Sequence, residues 1–217
     1  MKTTAEPIPL AGSTLGRYRH VCAIFSSQQE RYATLLPFVR DGIERGERAY
    51  HVVPRQYREE HLDQLRSAGI DVTAAQQRRQ LEVAAPEEVY LRGGGFSQDE
   101  MLVTIQEGLK AGPTLGFPLT RLIARGDSSP KDWSKANEWV EYEARLNDVL
   151  APFNDAVICT YDTSMLDGTM LVDILRIHPV VIIGGRLYEN PFFVPPGEFL
   201  RQIVERSGKS TKPYRAA

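Results

Sequence analysis

Short apolar segments that alternate with amphipathic helical segments limit the fold of this chain more than any other feature of its sequence. We predict six strands, contained in the segments HVCAIFS, ERAYHVVP, LEVAAPEEVYL, LTRLIARGD, DAVICTYD and VVIIGGRLYEN. Between most of them lie segments with apolar residues at helical spacing. Strands as apolar as AVIC and VVIIGG are typical of a parallel sheet that is covered on both faces. The sequence therefore predicts a three-layer α/β fold, with a mostly parallel sheet of about six strands and helices on both faces.

The length and composition favour one globular domain. The chain has 217 residues, of which 42% are hydrophobic and 25% are charged, and these values are ordinary for a single α/β domain. Residues 1–16 are rich in Thr, Pro, Gly and Ala without periodicity, so we predict a flexible arm there. The domain is expected to span residues 17–206, followed by a disordered tail at 207–217.

The charge and the cysteine content argue against several classes of partner and location. A formal net charge of -2 provides no electrostatic basis for binding a nucleic-acid backbone or an anionic membrane. The two cysteines each lie in an apolar run, so no disulfide framework is implied and a reducing compartment fits best. The N-terminal segment lacks a signal-peptide pattern, and no run approaches the roughly 20 apolar residues needed to cross a bilayer. These features predict a cytoplasmic protein and leave formation of a homo-oligomer open.

Polar residues at the ends of the predicted strands mark a candidate ligand site. In parallel sheets, ligands bind beyond the carboxyl ends of the strands. The segment CTYD combines the phenol of Tyr161 with the carboxylate of Asp162, which suits a pocket for a small, partly apolar ligand and equally suits an ordinary strand-to-helix turn. The candidate ligand-binding residues at this mouth are Ser26, Ser27, Arg55, Arg125, Asp127, Tyr161 and Asp162.

The turn after the first strand lacks the glycines and the lysine of a phosphate-binding loop. Ser26 or Ser27 can cap the next helix, with Glu30 completing a capping box, and we favour this role over direct ligand contact. The tail segment SGKST does not supply a substitute, because Ile203 stands where the motif requires glycine and the segment follows a helix. Gly184 and Gly185 are expected to form a bulge or a close backbone contact within the last strand. The sequence therefore predicts no nucleotide cofactor.

Four residues have the chemistry of metal ligands: His20, Cys22, Cys159 and His178. Their spacing is poor, since neither Cys159 nor His178 belongs to a paired ligand motif. Both histidines precede their strands, which places them away from the predicted mouth. Buried structural cysteines and hydrogen-bonded histidines at the strand ends are favoured, so neither a metal ion nor a catalytic residue is predicted. Burial of Cys22 in mid-strand would raise the pKa of its thiol and so oppose a nucleophilic role.

The helical segment EYEARLND contains a carboxylate whose direction the pattern leaves open. Glu143 lies between Tyr142 and Leu146, so its side chain could turn toward the sheet. A buried glutamate needs a partner, for which Arg121 or Arg125 would be suitable. The structural and functional interpretations of Glu143 are equally supported by the sequence.

Several of these segments together resemble the MEDS family, the methanogen/methylotroph sensory domain. The resemblance is carried, in order, by HVCAIF, LLPFVRDGIERGERAYHVV, EEVYLRGGGF, EYEARLN, VICTYD and ILRIHPVVIIGGRLYENPFFVPP, and it covers about residues 18 to 196. The resemblance implies a RecA/KaiC-like core without a phosphate loop. It also implies a non-catalytic sensory domain of prokaryotic signal transduction, proposed for the family to sense small hydrocarbon derivatives.

The family motifs fall on specific positions of this chain. The resemblance assigns motif positions, with structural roles favoured, to His20, Cys22, Tyr142, Glu143, Asn147, Cys159 and His178. The family's strand-end element also includes Tyr161 and Asp162. The turn after the fourth strand reads ARGDSSPKDW and departs from the family pattern, so Asp127 would have to supply the acidic group there.

We therefore expect a sensory or ligand-binding module that signals through a separate regulatory protein. One alternative is a degenerate ATPase-like scaffold that binds protein and no small ligand. A less favoured alternative is an enzyme with a metal centre made of histidine and cysteine.

Overall fold

The structure, a computed structural model, describes residues 7–90, 95–126 and 136–207. The strands within these residues are β1 (Ile8–Leu10), β2 (Ser13–Leu15), β3 (His20–Phe25), β4 (Arg48–Val52), β5 (Leu81–Ala84), β6 (Thr120–Arg125), β7 (Ala156–Asp162), β8 (Val180–Ile183) and β9 (Arg186–Glu189). The helices are α1 (Gln28–Glu44), α2 (Arg58–Ser67), α3 (Val72–Gln77), α4 (Pro86–Tyr90), α5 (Gln98–Thr114), α6 (Ala136–Leu150), α7 (Gly168–Ile177) and α8 (Pro196–Ser207). Short 3₁₀ turns cover Arg55–Tyr57 and Thr163–Met165.

One sheet forms the centre of the fold. Its strand order is β5-β4-β6-β7-β3-β8-β9, and all neighbours are parallel except the β8–β9 pair. The predicted three-layer α/β fold with a mostly parallel sheet is confirmed, with seven strands in place of about six. The additional strand is β9, at one edge of the sheet.

Two apolar cores cover the two faces of the sheet. Helices α1, α2 and α3 pack on one face together with strands β1 and β2, and helices α4 to α8 pack on the other. Successive residues of each central strand alternate between the cores, as expected for a pleated strand. On β3, for example, Cys22 faces the core of α4 to α8, whereas Val21 and Ala23 face the core of α1 to α3.

Two expectations from the sequence, one about Gly184 and Gly185 and one about the N-terminal arm, were wrong. Gly184 and Gly185 do not form a bulge within one strand, because their φ angles of 57° and 71° make the tight turn of the β8–β9 hairpin. Residues 8–15 are not a flexible arm either, since β1 and β2 pair and bury Ile8, Leu10 and Leu15 against the core of α1 to α3. The predicted tail at 207–217 lies, beyond its first residue, outside the described residues.

The start of α1 shows why the chain turns sharply after β3. Ser27 is the N-cap residue, and its hydroxyl accepts a hydrogen bond from the Glu30 N–H at 3.1 Å. The Glu30 carboxylate in turn accepts from the backbone N–H and the hydroxyl of Ser26, both at 2.8 Å. The prediction that Ser26 or Ser27 caps this helix is therefore confirmed for Ser27, and Ser26 is held by the Glu30 carboxylate. In the part of the chain that is described, no helix is long and apolar enough to span a membrane.

Candidate functional site

A small cavity lies at the carboxyl ends of β4, β6 and β7, between the sheet and helices α1 and α2. Its volume is about 40 Å³. A single water needs roughly 10–15 Å³, so the cavity admits a molecule of a few non-hydrogen atoms. Its walls are formed by Arg31, Tyr32, Leu35, Leu36, Val39, His51, Val52, Val53, Tyr57, His61, Leu65, Ile123, Arg125 and Thr160.

Two histidines and a tyrosine form a hydrogen-bonded chain along this cavity. His51 Nδ1 lies 2.9 Å from His61 Nε2, and His61 Nδ1 lies 3.3 Å from the Tyr32 hydroxyl oxygen. His51 belongs to β4, His61 to the buried side of α2 and Tyr32 to α1. The three elements that enclose the cavity are therefore connected through their polar side chains.

His51 and His61 are both neutral near pH 7. Burial, assisted by the positive charges of Arg31, Arg125 and Arg58, lowers the pKa of His61 to about 4. Burial and the neighbouring His61 hold the pKa of His51 well below its ordinary value. The Nε2 atom of His51 is buried and has no hydrogen-bond partner among the described residues. Such an atom is costly to leave unpaired, so it favours a ligand with a polar group.

The structure distributes the predicted mouth residues over several environments. Arg125 lines the cavity, and its guanidinium lies 5.2 Å from the centre of the Tyr57 ring. Ser26 and Ser27 are taken up by the cap of α1, and Arg55 is exposed and pairs with Glu87 and Glu88. Asp162 caps the following 3₁₀ turn by accepting from the N–H and hydroxyl of Ser164 at 2.9 and 2.7 Å. Asp127 lies outside the described residues.

Tyr161 faces away from this cavity, into the core of α4 to α8. Its hydroxyl donates to Glu143 Oε1 at 3.1 Å and accepts from Trp139 Nε1 at 3.3 Å. Its ring also lies against Gly126, where a Cβ atom would be only 2.2 Å from Cε1 of the ring. Because Gly126 directly follows Arg125, the cavity and the buried tyrosine meet at adjacent residues.

A second group of polar side chains lies on the same face of the sheet as Tyr161. His20, Glu143, Cys159 and His178 are all buried, and one potential ligand atom of each lies within 4.8 Å of the others. Glu143 Oε2 is 3.2 Å from His20 Nε2, 3.5 Å from His178 Nε2 and 3.4 Å from Cys159 Sγ. We refer to these four residues as the buried tetrad.

The pKa values in the buried tetrad reflect a charged carboxylate in an apolar environment. Burial acts to raise the pKa of Glu143, but the proximity of His178 and His20 outweighs it and holds the pKa below its usual range. Burial, and then Glu143, raise the pKa of the Cys159 thiol well above its ordinary value. Burial and His20 lower the pKa of His178 more than Glu143 raises it.

The remaining family positions support the buried tetrad or lie beside it. Asn147 binds His20, with Oδ1 at 3.1 Å from His20 Nδ1. Cys22 is buried on the same face and is paired in register with Cys159 of the neighbouring strand, but it does not belong to the tetrad. Tyr142 packs against the Trp139 ring at 5.3 Å between ring centres.

The sequence suggested the wrong partner for Glu143. Arg121 lies across the sheet and binds Asp41 and Glu47, while the partners of Glu143 are the tetrad and Tyr161. The pairing of His51 with His61 was not predicted at all. One signal was present, because a histidine inside an apolar strand must find a polar partner when it is buried.

Comparison with known proteins identifies what the chain is similar to. The family model for MEDS, the methanogen/methylotroph, DcmR sensory domain, matches residues 19–179. The chain is 26% identical over 178 residues to the transcriptional repressor DcmR of Methylorubrum extorquens, an alignment covering 80% of this chain and 63% of that protein. The chain thus spans less than two thirds of that relative. The crystal structure of a KaiC-like protein from Pyrococcus horikoshii OT3 has a TM-score of 0.50 at 16% identity, covering 80% of this chain and 71% of that chain. The last similarity concerns the fold alone.

Proposed function

The chain belongs to the MEDS family of sensory domains, and on that premise we propose that it is a regulatory module that binds a small, mostly apolar molecule in the cavity beside α1 and α2. The family match and the similarity to a transcriptional repressor support a sensory role in gene regulation. The output would pass through a regulatory protein partner. We propose binding without turnover.

The observation that carries the proposal concerns His51, which lines a mostly apolar cavity and whose buried Nε2 atom has no hydrogen-bond partner among the described residues. The leucine, valine and isoleucine side chains of the walls would contact the apolar part of a ligand. A single hydroxyl, carbonyl or amide group would bind His51 Nε2. Ligand sites of this kind combine apolar walls with a few polar groups that fix orientation.

The histidine chain adapts to either sense of that hydrogen bond. If the Tyr32 hydroxyl donates to His61, then His61 donates to His51, whose Nε2 carries the proton and donates to the ligand. If the proton positions are reversed, His51 Nε2 accepts from the ligand. The same cavity can therefore bind an alcohol or a carbonyl compound while both histidines stay neutral.

Ligand binding would be transmitted at the rim of the cavity. Arg125 lines the cavity, and the next residue, Gly126, packs on the Tyr161 ring. A ligand that moves Arg125 would therefore favour one packing of this pair over another, which is how ligands shift populations between states. The surface near the ends of β6 and β7 is where we expect the protein partner to sense the difference.

We also propose that the cavity does not catalyse a reaction. Among the described residues that line the cavity there is no carboxylate or cysteine, and the hydroxyl of Thr160 donates to the Ala124 carbonyl at 3.2 Å. The two histidines are neutral and bound to each other. These features support binding more than catalysis.

Thermal unfolding of the full chain tests the proposal. The probes are methanol, ethanol, acetone, acetamide and dichloromethane, each at rising concentrations up to the tens-of-millimolar range. A ligand of four non-hydrogen atoms gains roughly -6 kcal/mol at best, which corresponds to a dissociation constant of about 10⁻⁵–10⁻⁴ M. We expect at least one probe to raise Tm in a saturable way.

Two variants assign the effect to the cavity. His51→Gln is expected to weaken the response to a polar probe about tenfold or more, because the hydrogen bond at Nε2 is lost. Tyr50→Phe is the matched control, since Tyr50 precedes His51 on β4 but faces the opposite core. If no probe raises Tm, or if both variants respond like the native chain, the ligand proposal fails and the scaffold alternative is favoured.

A further inference from the structure

The two histidines of the buried tetrad have fixed tautomers. His178 Nδ1 lies 2.7 Å from the carbonyl oxygen of Ile174, an atom that can only accept, so Nδ1 carries the proton. His20 Nδ1 lies 3.1 Å from Asn147 Oδ1. The Asn147 amide nitrogen donates to the carbonyl oxygens of Ile177, Ala144 and Glu143, which orients Oδ1 toward His20. With the proton on Nδ1, Nε2 is in both residues the ring nitrogen that faces Glu143 Oε2 and can offer a lone pair to a metal ion.

Hydrogen bonds also fix the orientation of the Glu143 carboxylate. Its Oε1 atom accepts from the Tyr161 hydroxyl, which is itself held by Trp139. The contacts of His20, His178 and Cys159 all converge on the other oxygen, Oε2. The ring nitrogens of two imidazoles and one carboxylate oxygen thus face one another inside the protein, and each of the four side chains of the tetrad is less than 4% exposed. His178 Nε2 has no hydrogen-bond partner among the described residues.

The distances match the edges of a tetrahedron around a metal ion. Zinc bonds of about 2.0–2.1 Å to nitrogen or oxygen and about 2.3 Å to sulfur place neighbouring ligand atoms about 3.3–3.6 Å apart. Four of the distances in the tetrad lie between 3.2 and 3.5 Å, including Cys159 Sγ to His20 Nε2 at 3.5 Å. The remaining distances are no longer than 4.8 Å.

We propose that His20, Glu143, Cys159 and His178 form a binding site for one zinc ion. Thiolate, imidazole and carboxylate are the ligands that zinc takes, and one thiolate with one carboxylate neutralises a divalent cation in the apolar core. The partners of the outer atoms fit as well. Ligating histidines in zinc sites donate their other N–H to a carbonyl or carboxylate, and ligating carboxylates are themselves hydrogen-bonded.

The site would be structural and not catalytic. Four protein ligands leave no open position for water or substrate, and burial on all sides excludes solvent. The ion would join β3, α6 and β7 to His178, which directly follows α7. It would therefore fasten α6 to the sheet on the face opposite the ligand cavity, independently of whether that cavity binds anything.

Metal analysis of the untagged full chain tests the site. A histidine tag is omitted because it would bind the same ions. After chelator treatment in mild denaturant and refolding, we expect the chain to bind one zinc per molecule and to gain thermal stability on binding. Cobalt(II) is the spectroscopic probe, since a tetrahedral site with one thiolate gives visible ligand-field bands and a near-ultraviolet sulfur-to-cobalt band.

The two cysteines provide a matched pair of variants. Cys22→Ser should bind zinc and cobalt like the native chain, because Cys22 lies beside the tetrad without belonging to it. Cys159→Ser should lose the sulfur-to-cobalt band and bind zinc roughly tenfold more weakly or worse, since loss of even an outer partner typically costs 10- to 100-fold. If Cys159→Ser does not fold, Cys22→Ser decides, because Cys159 is then the one cysteine left.

Two results would overturn the zinc site. A refolded native chain that binds neither ion stoichiometrically would show that the tetrad is an ion-pair network that a proton stabilises. Equal cobalt spectra for the two cysteine variants would place the ion elsewhere. Failure of the cavity proposal can be distinguished from failure of the zinc site. His51→Gln should bind zinc like the native chain, whatever its response to the small-molecule probes.

Discussion

Cys159 and Thr160 are consecutive residues of β7 whose side chains lie on opposite faces of the sheet, one in the buried tetrad and the other at the cavity. Cys159 Sγ lies 3.4 Å from Glu143 in the buried tetrad, whereas Thr160 lines the cavity beside α1 and α2. β7 is the middle strand of the seven. A shift of this strand would therefore alter both regions together, which gives the sheet a direct means of coupling them.

The pH dependence of stability should reveal the buried histidine chain. The pKa of His61 is about 4 in the folded protein and about 6.5 when exposed, so the unfolded chain binds more protons between these values. This titration does not affect stability well above pH 6.5, and it lowers the free energy of unfolding progressively as the pH falls toward 4. The loss is on the order of 3 kcal/mol, since one pKa unit corresponds to about 1.4 kcal/mol.

Urea unfolding of the native chain and of His61→Gln at several pH values measures this contribution. We expect the free energy of unfolding to fall more steeply between pH 6.5 and 4 in the native chain than in the variant. Part of the loss persists in His61→Gln, because His51 also has a lowered pKa. Parallel curves for the two proteins would contradict the prediction.

Arg121 should be one of the most sensitive positions for stability. Its side chain is 1% exposed, binds Asp41 and Glu47, and lies with its guanidinium 4.5 Å from the centre of the Phe38 ring. Arg121→Met leaves two carboxylates without their buried partner and should cost about 3–5 kcal/mol in the free energy of unfolding. Arg45→Ala is the control, since Arg45 also pairs with Asp41 but is 43% exposed, and should cost about 1 kcal/mol or less. Similar losses for the two variants in denaturant titrations would be inconsistent with this account.

Gly126 should tolerate no side chain. A Cβ atom at this position would lie 2.2 Å from the buried Tyr161 ring, so Gly126→Ala requires the ring or the end of β6 to move. We expect a loss of about 1–3 kcal/mol, measured by chemical denaturation. Gly168→Ala at the start of α7 meets no atom within 4 Å and should change stability by about 0.5 kcal/mol or less. An equally mild effect at Gly126 would show that the Tyr161 ring is free to adjust.

Ser27 should contribute to stability and not to ligand binding. Ser27→Ala removes the N-cap of α1 and should cost about 1 kcal/mol. Ser97→Ala at the N-cap of α5 should have a similar effect. Ser27 does not line the cavity, so any small-molecule probe that raises the Tm of the native chain should raise that of Ser27→Ala equally. A selective loss of the probe response would restore Ser27 as a ligand contact.

The sheet and most of its helices could be predicted because the signals for them are local. Apolar strands, helical spacing and the serine caps each lie within a few residues, and the structure confirms them. The Gly184–Gly185 hairpin was missed because a glycine pair in an apolar strand fits both a bulge and a tight turn. The choice depends on whether β9 has a strand to pair with.

The cavity and the buried tetrad depend on contacts between distant residues, which local sequence patterns do not contain. Alternation places His20 and Cys22 on one face of β3, but it does not show that α6 directs Glu143 toward Cys159 instead of Cys22. Likewise, His51 and His61 meet because the chain turns from β4 into α2 over the edge of the cavity. The sequence identifies the histidines and Cys159 as residues with the chemistry of metal ligands. It does not identify Glu143 as their partner, because an arginine is the more obvious partner for a buried carboxylate.

The position of β3 has a consequence for the order in which the protein is made. β3 is the first strand of the main sheet to leave the ribosome. Its two neighbours, β7 and β8, are made after all the other strands of that sheet except β9. Until residues 156–183 emerge, both edges of this apolar strand lack their partners, a state that is open to aggregation. A nascent chain stalled before Ala156 should therefore remain sensitive to protease and bind chaperones, and emergence of β7 and β8 should allow the sheet to form.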